Sequence, residues 1–124
     1  MIQIVSGKSR VIEHNKLVRD NIPKILDSDK SVIDYKIHIA QSSAELIKYV
    51  VDKLIEEATE LKNSVDKNGN MDITEVADVY EIFQKLMHEV PYSHEEIMEA
   101  VNDKADRNGK FDFNLILKSV EKEK

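Results

Sequence analysis

The fold of this chain is decided by residues 42–65, which read SSAELIKYVVDKLIEEATELKNSV. Apolar side chains recur there at helical spacing. Ser42 and Glu45 precede them in the S-x-x-E pattern of a capping box. Residues 72–90, DITEVADVYEIFQKLMHEV, repeat the helical pattern until Pro91 ends it. These two stretches predict two long consecutive helices.

Turn and capping signals extend this interpretation to the rest of the chain. The sequence DKNGN at 66–70 is a strong turn between the two helices. A third helix begins at the capping box Ser93-x-x-Glu96 and ends at Asn108–Gly109. Pro23 begins or bends a short helix nearer the N-terminus. We therefore expect antiparallel helices joined by short connections.

The first 40 residues differ from this pattern. Short apolar stretches at 1–5 and 11–12 flank a turn signal at Ser6–Gly7. Residues 33–39 alternate isoleucine or tyrosine with polar residues, which predicts either a half-buried strand or an extended segment lying on the helices. This region contributes minor extended structure.

The predicted fold class is all-α: a bundle of three main helices with a short N-terminal helix and minor extended segments. At 124 residues the chain is expected to be a single domain. Its parts are an N-terminal region (1–40), the core helices (42–107) and a tail (108–124) whose apolar residues are expected to dock back onto the bundle.

Composition excludes several classes of function. A net charge of −6 argues against duplex nucleic acid or an anionic membrane as the main partner. The absence of cysteine removes disulfides, thiol catalysis and Cys-type zinc sites. Apolar runs fall short of the roughly 20 residues of a membrane span, and the N-terminus has no secretory signal. We expect a cytoplasmic protein without a membrane partner.

The acidic residues of the two long helices do not all lie on solvent-facing positions. With Leu54 at the centre of the apolar stripe of the first helix, Glu57 lies about 60° and Glu60 about 120° from it. Glu75 falls inside the broad apolar arc of the second helix, and Asp78 lies at its edge. An antiparallel hairpin brings both pairs together, which predicts a carboxylate cluster.

Such a cluster would repel itself by several kcal/mol unless a cation lay within it. Oxygen ligands suit Mg²⁺ or Mn²⁺, so Glu57, Glu60, Glu75 and Asp78 are the candidate metal ligands. An alternative is that these acids cover an ordinary solvated face, with Glu75 completing a capping box that begins at Asp72.

Three motifs carry a resemblance to a known superfamily. Glu56-Glu57-x-x-Glu60 is followed after fourteen residues by Glu75-x-x-Asp78, which resembles the all-α nucleoside triphosphate pyrophosphohydrolases, MazG-like and phosphoribosyl-ATP pyrophosphohydrolase-like. Residues 15–23, NKLVRDNIP, resemble the K-L-V-R-D-K-I-P signature of one branch. Residues 104–111, KADRNGKF, resemble its K-x-x-R-G-x-F ending. Asn21 and Asn108 depart from these patterns.

The resemblance implies a Mg²⁺-dependent hydrolase, with Mn²⁺ as a possible substitute. It would cleave the α–β phosphoanhydride of a nucleotide to a monophosphate and pyrophosphate. By position, Glu57, Glu60, Glu75 and Asp78 would bind the metal, and Glu56 would be an outer-shell group or would orient the attacking water. Glu56 and Glu57 are therefore the candidate catalytic residues.

Several cations could bind the phosphates of such a substrate. Lys16 and Arg19 are three residues apart, and Arg19 could bind two phosphate oxygens at once. Lys53 lies on the same flank as Glu57, and an amphipathic Lys104 could reach the cleft, with Arg107 one turn further on. Each could instead be an ordinary partner in a surface ion pair.

Two other classes of function remain open. In an EF-hand interpretation, Gly69 is loop position 6 and Glu75 position 12, but Ser64 replaces the aspartate of position 1. A non-catalytic helical oligomerisation module would also explain the broadly apolar second helix. We interpret the broad apolar surface of that helix as the contact surface of an enzyme that forms a homodimer or homotetramer.

Overall fold

The computed structural model describes the backbone of residues 2–6 and 9–124, and the side chains from Ser9 onward. Within these residues the elements are β1 (Ile2–Ser6), β2 (Ser9–Ile12), α1 (Ile22–Ser28), α2 (Ser43–Ser64), α3 (Ile73–Glu89) and α4 (His94–Asn108). The predicted all-α class is confirmed, because the paired strands form only a small antiparallel ribbon. The predicted turn at Ser6–Gly7 includes Gly7, which lies outside the described residues.

The helices begin and end close to the predicted positions. The Ser42 hydroxyl accepts a hydrogen bond from the Glu45 amide at the start of α2. The Glu45 carboxylate accepts a hydrogen bond from the Gln41 amide instead of the Ser42 amide, and it also contacts His38. The described residues therefore form one of the two hydrogen bonds of a capping box. At α4, Ser93 and Glu96 form both bonds of the box.

The helices α2 and α3 pack against each other. Val50 of α2 and Ile82 of α3 are their buried apolar side chains. The connecting loop is held by the Asp66 carboxylate, which accepts hydrogen bonds from the Asn68 and Asn70 amides. Asp72 then caps α3 by accepting from the Thr74 amide. This hairpin positions the candidate site.

The alternating segment 33–39 forms neither a strand nor a helix. Its three isoleucines, Ile33, Ile37 and Ile39, are exposed. The strand interpretation is therefore wrong, since period-2 alternation produces a strand only where a neighbouring strand supplies the ladder hydrogen bonds.

The chain divides into two compact units, Met1–Val90 and Pro91–Lys124. The first contains the β-ribbon and α1 to α3, and the second contains α4 and the tail. The assignment of residues 1–124 to a single domain stays a prediction.

The tail belongs to the second unit, and its expected docking onto the bundle stays a prediction. The side chain of Phe111 is 99% exposed, and Phe113 and Leu115 are also largely exposed. The tail beyond Asp112–Phe113 has no regular secondary structure in which these residues could form one apolar face.

None of the described helices is both long enough and apolar enough to cross a membrane.

Candidate metal site

The side of α2 that faces α3 carries an acidic residue among its apolar ones. Glu57 follows the buried Val50 by seven residues, which is two helical turns, so both side chains lie on the same face. On α3, Glu75 precedes the buried Ile82 by the same interval. The helical period that buries Val50 and Ile82 therefore turns Glu57 and Glu75 inward as well.

The hairpin brings three of the predicted metal ligands together. Glu57, Glu60 and Glu75 each offer a carboxylate oxygen, and these three oxygens lie within 4.8 Å of one another. Glu57 is buried, Glu75 is half-buried and Glu60 is exposed, so the cluster runs from the interior of the hairpin to its surface. One end of the site is therefore open to a ligand from solvent.

Two carboxylate oxygens of this cluster are buried without a hydrogen-bond partner among the described residues. They are Oε2 of Glu57 and Oε2 of Glu75. Glu57 is only 8% exposed. A buried polar atom that lacks a partner costs about 1–3 kcal/mol, and more when it is charged. The fold therefore keeps two acceptors that its own donors do not satisfy.

The surroundings of Glu57 disfavour its charged form. Burial raises the pKa of the Glu57 carboxyl, and the neighbouring carboxylate of Glu60 adds to this effect. Lys53 acts in the opposite direction, because its Nζ lies 3.3 Å from Glu57 Oε1. The net result is a pKa above the ordinary value for glutamate. A cation bound here would favour the charged form instead.

This donor set fits a hard divalent cation. The oxygens are all from carboxylates, which suits Mg²⁺ or Mn²⁺. The unpartnered Oε2 atoms of Glu57 and Glu75 are the acceptors that such an ion would satisfy. Glu60 would supply the third ligand, from the exposed side.

The fourth predicted ligand, Asp78, bonds to a cation of the chain itself. Arg19 donates from Nη2 to Asp78 Oδ1 at 2.7 Å. The same guanidinium donates from Nη1 to both carboxylate oxygens of Glu81, at 2.7 and 3.1 Å. Sequence reasoning missed Glu81, although its i,i+3 spacing from Asp78 placed it beside that residue.

Lys16 and Lys53 both contact Glu56. Lys16 Nζ lies 3.1 Å and Lys53 Nζ lies 3.5 Å from Glu56 Oε1. Burial raises the pKa of Glu56, but the two ammonium groups outweigh this effect and bring its pKa below the ordinary value. Glu56 is therefore paired with two ammonium groups, whereas Glu57 beside it is paired only with the shared ammonium group of Lys53.

The segment that carries Lys16 and Arg19 is fastened to both long helices. Asn15 adopts a left-handed backbone conformation with φ of 46°, which asparagine tolerates better than most residues. Its side-chain oxygen accepts a hydrogen bond from the Tyr49 hydroxyl of α2 at 3.1 Å. Lys16 then contacts α2 and Arg19 contacts α3. The sequence pattern did not reveal the contact of Tyr49 with Asn15.

Lys104 and Arg107 belong to the second unit. Both are exposed on α4, and the Nε of Arg107 donates to the Asp103 carbonyl oxygen of its own helix at 3.5 Å. Their role as phosphate ligands stays a prediction.

The loop between α2 and α3 uses its polar side chains for its own hydrogen bonds. The Asp66 carboxylate binds loop amides, Asp72 caps α3, and the Ser64 hydroxyl donates to the Leu61 carbonyl oxygen. Glu75, the twelfth position of an EF-hand loop, belongs to the cluster with Glu57. This arrangement disfavours the EF-hand interpretation.

Fold and site together define an all-α protein with a carboxylate cluster between two antiparallel helices. Comparison of the chain with protein-family models, curated proteins and solved structures finds no match.

Proposed function

We propose that this protein is a Mg²⁺-dependent nucleotide pyrophosphohydrolase that cleaves the α–β phosphoanhydride of a nucleoside triphosphate or a related nucleotide. Water adds across the bond, and the products are a nucleoside monophosphate and pyrophosphate. The proposal includes a cytoplasmic location, where such nucleotides are abundant.

The observation that carries the proposal is the unsatisfied pair of oxygens in the cluster. Glu57 Oε2 and Glu75 Oε2 are buried and unpartnered among the described residues, and Glu60 offers a third oxygen beside them. Acid-rich surface helices do not need to bury carboxylates in this way, because exposed acids are solvated by water. A dication explains why the fold tolerates the arrangement.

The chemistry of phosphoanhydride hydrolysis matches these groups. A bound Mg²⁺ would neutralise phosphate charge and lower the pKa of a coordinated water. In the reaction, the water oxygen forms a bond to phosphorus, the bond from that phosphorus to the bridging oxygen breaks, and the pyrophosphate keeps the bridging oxygen. Glu56 shares the ammonium group of Lys53 with Glu57 and its side chain is one-third exposed, so it is suited to orient the water.

The cations around the cluster support a phosphate-bearing substrate. Lys16, Arg19 and Lys53 surround the carboxylates with donors that phosphate oxygens could also use. The side chain of Arg19 is 57% exposed, so it is accessible to a ligand from solvent. Lys104 and Arg107 are proposed as further phosphate contacts.

A homodimer or homotetramer is part of the proposal. Along α3, four apolar residues at helical spacing form an exposed stripe on the side away from Ile82: Ile73, Val76, Tyr80 and Phe83. Val51 and Ile55 of α2 are also exposed and lie one turn apart. Apolar stripes of this kind favour contact with another chain. The helical oligomerisation module remains the competing interpretation, and turnover distinguishes the two.

The direct test is a screen of nucleoside triphosphates with Mg²⁺, in which released pyrophosphate and orthophosphate are measured separately. We expect pyrophosphate as the product, and loss of turnover in the full-length variants Glu57→Gln, Glu60→Gln, Glu75→Gln and Asp78→Asn. Glu99→Gln on α4 serves as a control with the same charge change. Retention of wild-type activity in any two of the four variants would contradict the assignment.

A further inference from the structure

Arg19 forms a fork between two carboxylates of α3. Nη2 binds Asp78 and Nη1 binds Glu81, while Asp78 itself lies one helical turn after Glu75 of the cluster. Asp78 is thus a proposed metal ligand whose carboxylate already binds an arginine of the chain, whereas Glu57 is paired with Lys53 of its own helix. Glu81 makes the larger contribution to the raised pKa of Arg19.

This ion pair is of a kind that a stronger cation can displace. The side chains of Arg19 and Glu81 are largely exposed, and Asp78 is one-third exposed. Exposed ion pairs contribute little net stability, because solvent screens them and the side chains lose conformational freedom. The contact with Asp78 is therefore weak enough to exchange, while the two contacts with Glu81 can remain.

We propose that Asp78 exchanges Arg19 for the dication when the metal binds, and that Glu81 is the positioning residue that keeps Arg19 beside the site. This inference rests on the metal site of the proposed function, although it does not require hydrolysis. Before exchange, Arg19 competes with the dication for Asp78. After exchange, Nη2 is free to donate to a phosphate oxygen while Nη1 stays on Glu81.

The exchange couples the two ligands. Arg19 weakens metal binding when the nucleotide is absent, because the ion has to displace it from Asp78. A phosphate group that accepts the released Nη2 would remove this penalty. Metal and nucleotide would therefore each increase the affinity of the site for the other, by the same factor.

The test is titration of the full-length protein with Mn²⁺ alone, without nucleotide, by calorimetry or by the electron paramagnetic resonance of free Mn²⁺. The variants are Arg19→Gln, Glu81→Gln, the double variant, and Lys16→Gln. The last removes the same charge from the same segment, but its partner is Glu56, which is not a proposed ligand. None of these substitutions removes a ligand from the cluster.

We expect Arg19→Gln to lower the Kd for Mn²⁺ by about two- to fivefold, the range that an exposed ion pair can supply. Lys16→Gln should change it less. Glu81→Gln should raise the Kd in the wild-type background, because Arg19 is then left to Asp78 alone. The same substitution should have a clearly smaller effect in the Arg19→Gln background, where there is no guanidinium to redirect.

Two results would overturn the exchange alone: equal effects of Arg19→Gln and Lys16→Gln, or an effect of Glu81→Gln that is the same in both backgrounds. Either result would mean that these residues act only through their net charge. Wild-type protein that binds no Mn²⁺ would overturn both the exchange and the proposed metal site. The expected binding pattern without any hydrolysis would support the exchange and contradict the proposed activity.

Discussion

Lys53 and Glu57 lie one turn apart on α2, with 3.3 Å between Lys53 Nζ and Glu57 Oε1. The same ammonium group is 3.5 Å from Glu56, so it is shared between two acids. Glu57 therefore has a shared cation on one carboxylate oxygen, and its other oxygen is buried without a partner among the described residues. This imbalance disfavours the charged form of Glu57 in the metal-free protein.

Substitution of Glu57 by Gln should stabilise the metal-free protein. The change keeps the shape of the side chain but removes a charge that burial and Glu60 disfavour. The amide of the new side chain can also donate to a neighbouring carboxylate. In EDTA at pH 7 we expect Tm to rise by a few degrees, and in Mg²⁺ the stabilisation by metal should largely disappear.

Thermal denaturation with and without Mg²⁺ measures both effects. Glu99→Gln, on exposed α4, is the control for loss of one negative charge and should leave the response to Mg²⁺ unchanged. A Glu57→Gln protein that keeps the wild-type shift in Tm would argue against Glu57 as a ligand.

Stability should depend on pH through Glu57 and Glu56 with opposite signs. The folded-state pKa of Glu57 is raised, so the folded protein binds more protons than the unfolded chain between the ordinary glutamate pKa, about 4.3, and the raised one. The contribution of Glu57 is therefore lost as pH rises through that window. Denaturant unfolding in EDTA should show the advantage of Glu57→Gln over wild type growing from pH 4 toward neutrality.

Glu56 provides the internal comparison. Its pKa is lowered by Lys16 and Lys53 against the effect of burial, so its contribution is present above the ordinary pKa and lost as pH falls through the lowered one. Wild type should be more stable than Glu56→Gln at neutral pH and lose that advantage in acid. Parallel pH profiles for the two variants would mean that their environments do not differ in this way.

The sequence was sufficient to predict the parts of the fold that local signals determine. Capping residues and turns placed α2, α3 and α4 to within a residue or two, since Ser42, Asp72 and Ser93 satisfy the first amides of their helices. The helical period also predicted that Glu57 and Glu75 lie toward the packed faces, because Glu57 falls about 60° from the centre of the apolar stripe of α2 and Glu75 falls inside the apolar arc of α3. Both signals act within one helix.

Features that depend on contacts distant in sequence were not predictable in the same way. Glu81 follows no apolar pattern, and its partner Arg19 is 62 residues away. The Tyr49 contact with Asn15 likewise depends on how the N-terminal segment runs across α2.

Removal of the cap of α3 should lower the stability of the protein without changing the affinity of the metal site. In Asp72→Ala the amide of Thr74 loses its acceptor, so α3 begins less firmly and Tm should fall by a few degrees. The affinity for Mn²⁺ should stay close to wild type, because Asp72 is a cap and not a ligand. Titration of the variant with Mn²⁺ and Ca²⁺ makes the measurement. A large loss of Ca²⁺ binding would favour the EF-hand interpretation, in which Asp72 is the ninth loop position.

The exposed apolar stripe of α3 is the surface through which copies of the chain are proposed to associate. Tyr80 is 63% exposed and lies one turn from Val76 and Phe83, on the side of the helix opposite Ile82. If a second copy of the chain covers this stripe, a charge at its centre would have to be buried without a partner. Tyr80→Glu should then shift the protein to monomers in sedimentation velocity. Gln84→Glu, which adds the same charge next to the stripe but replaces a polar residue, should leave the assembly intact. A monomeric wild type, or a Tyr80→Glu protein of unchanged mass, would mean that this face does not join copies of the chain.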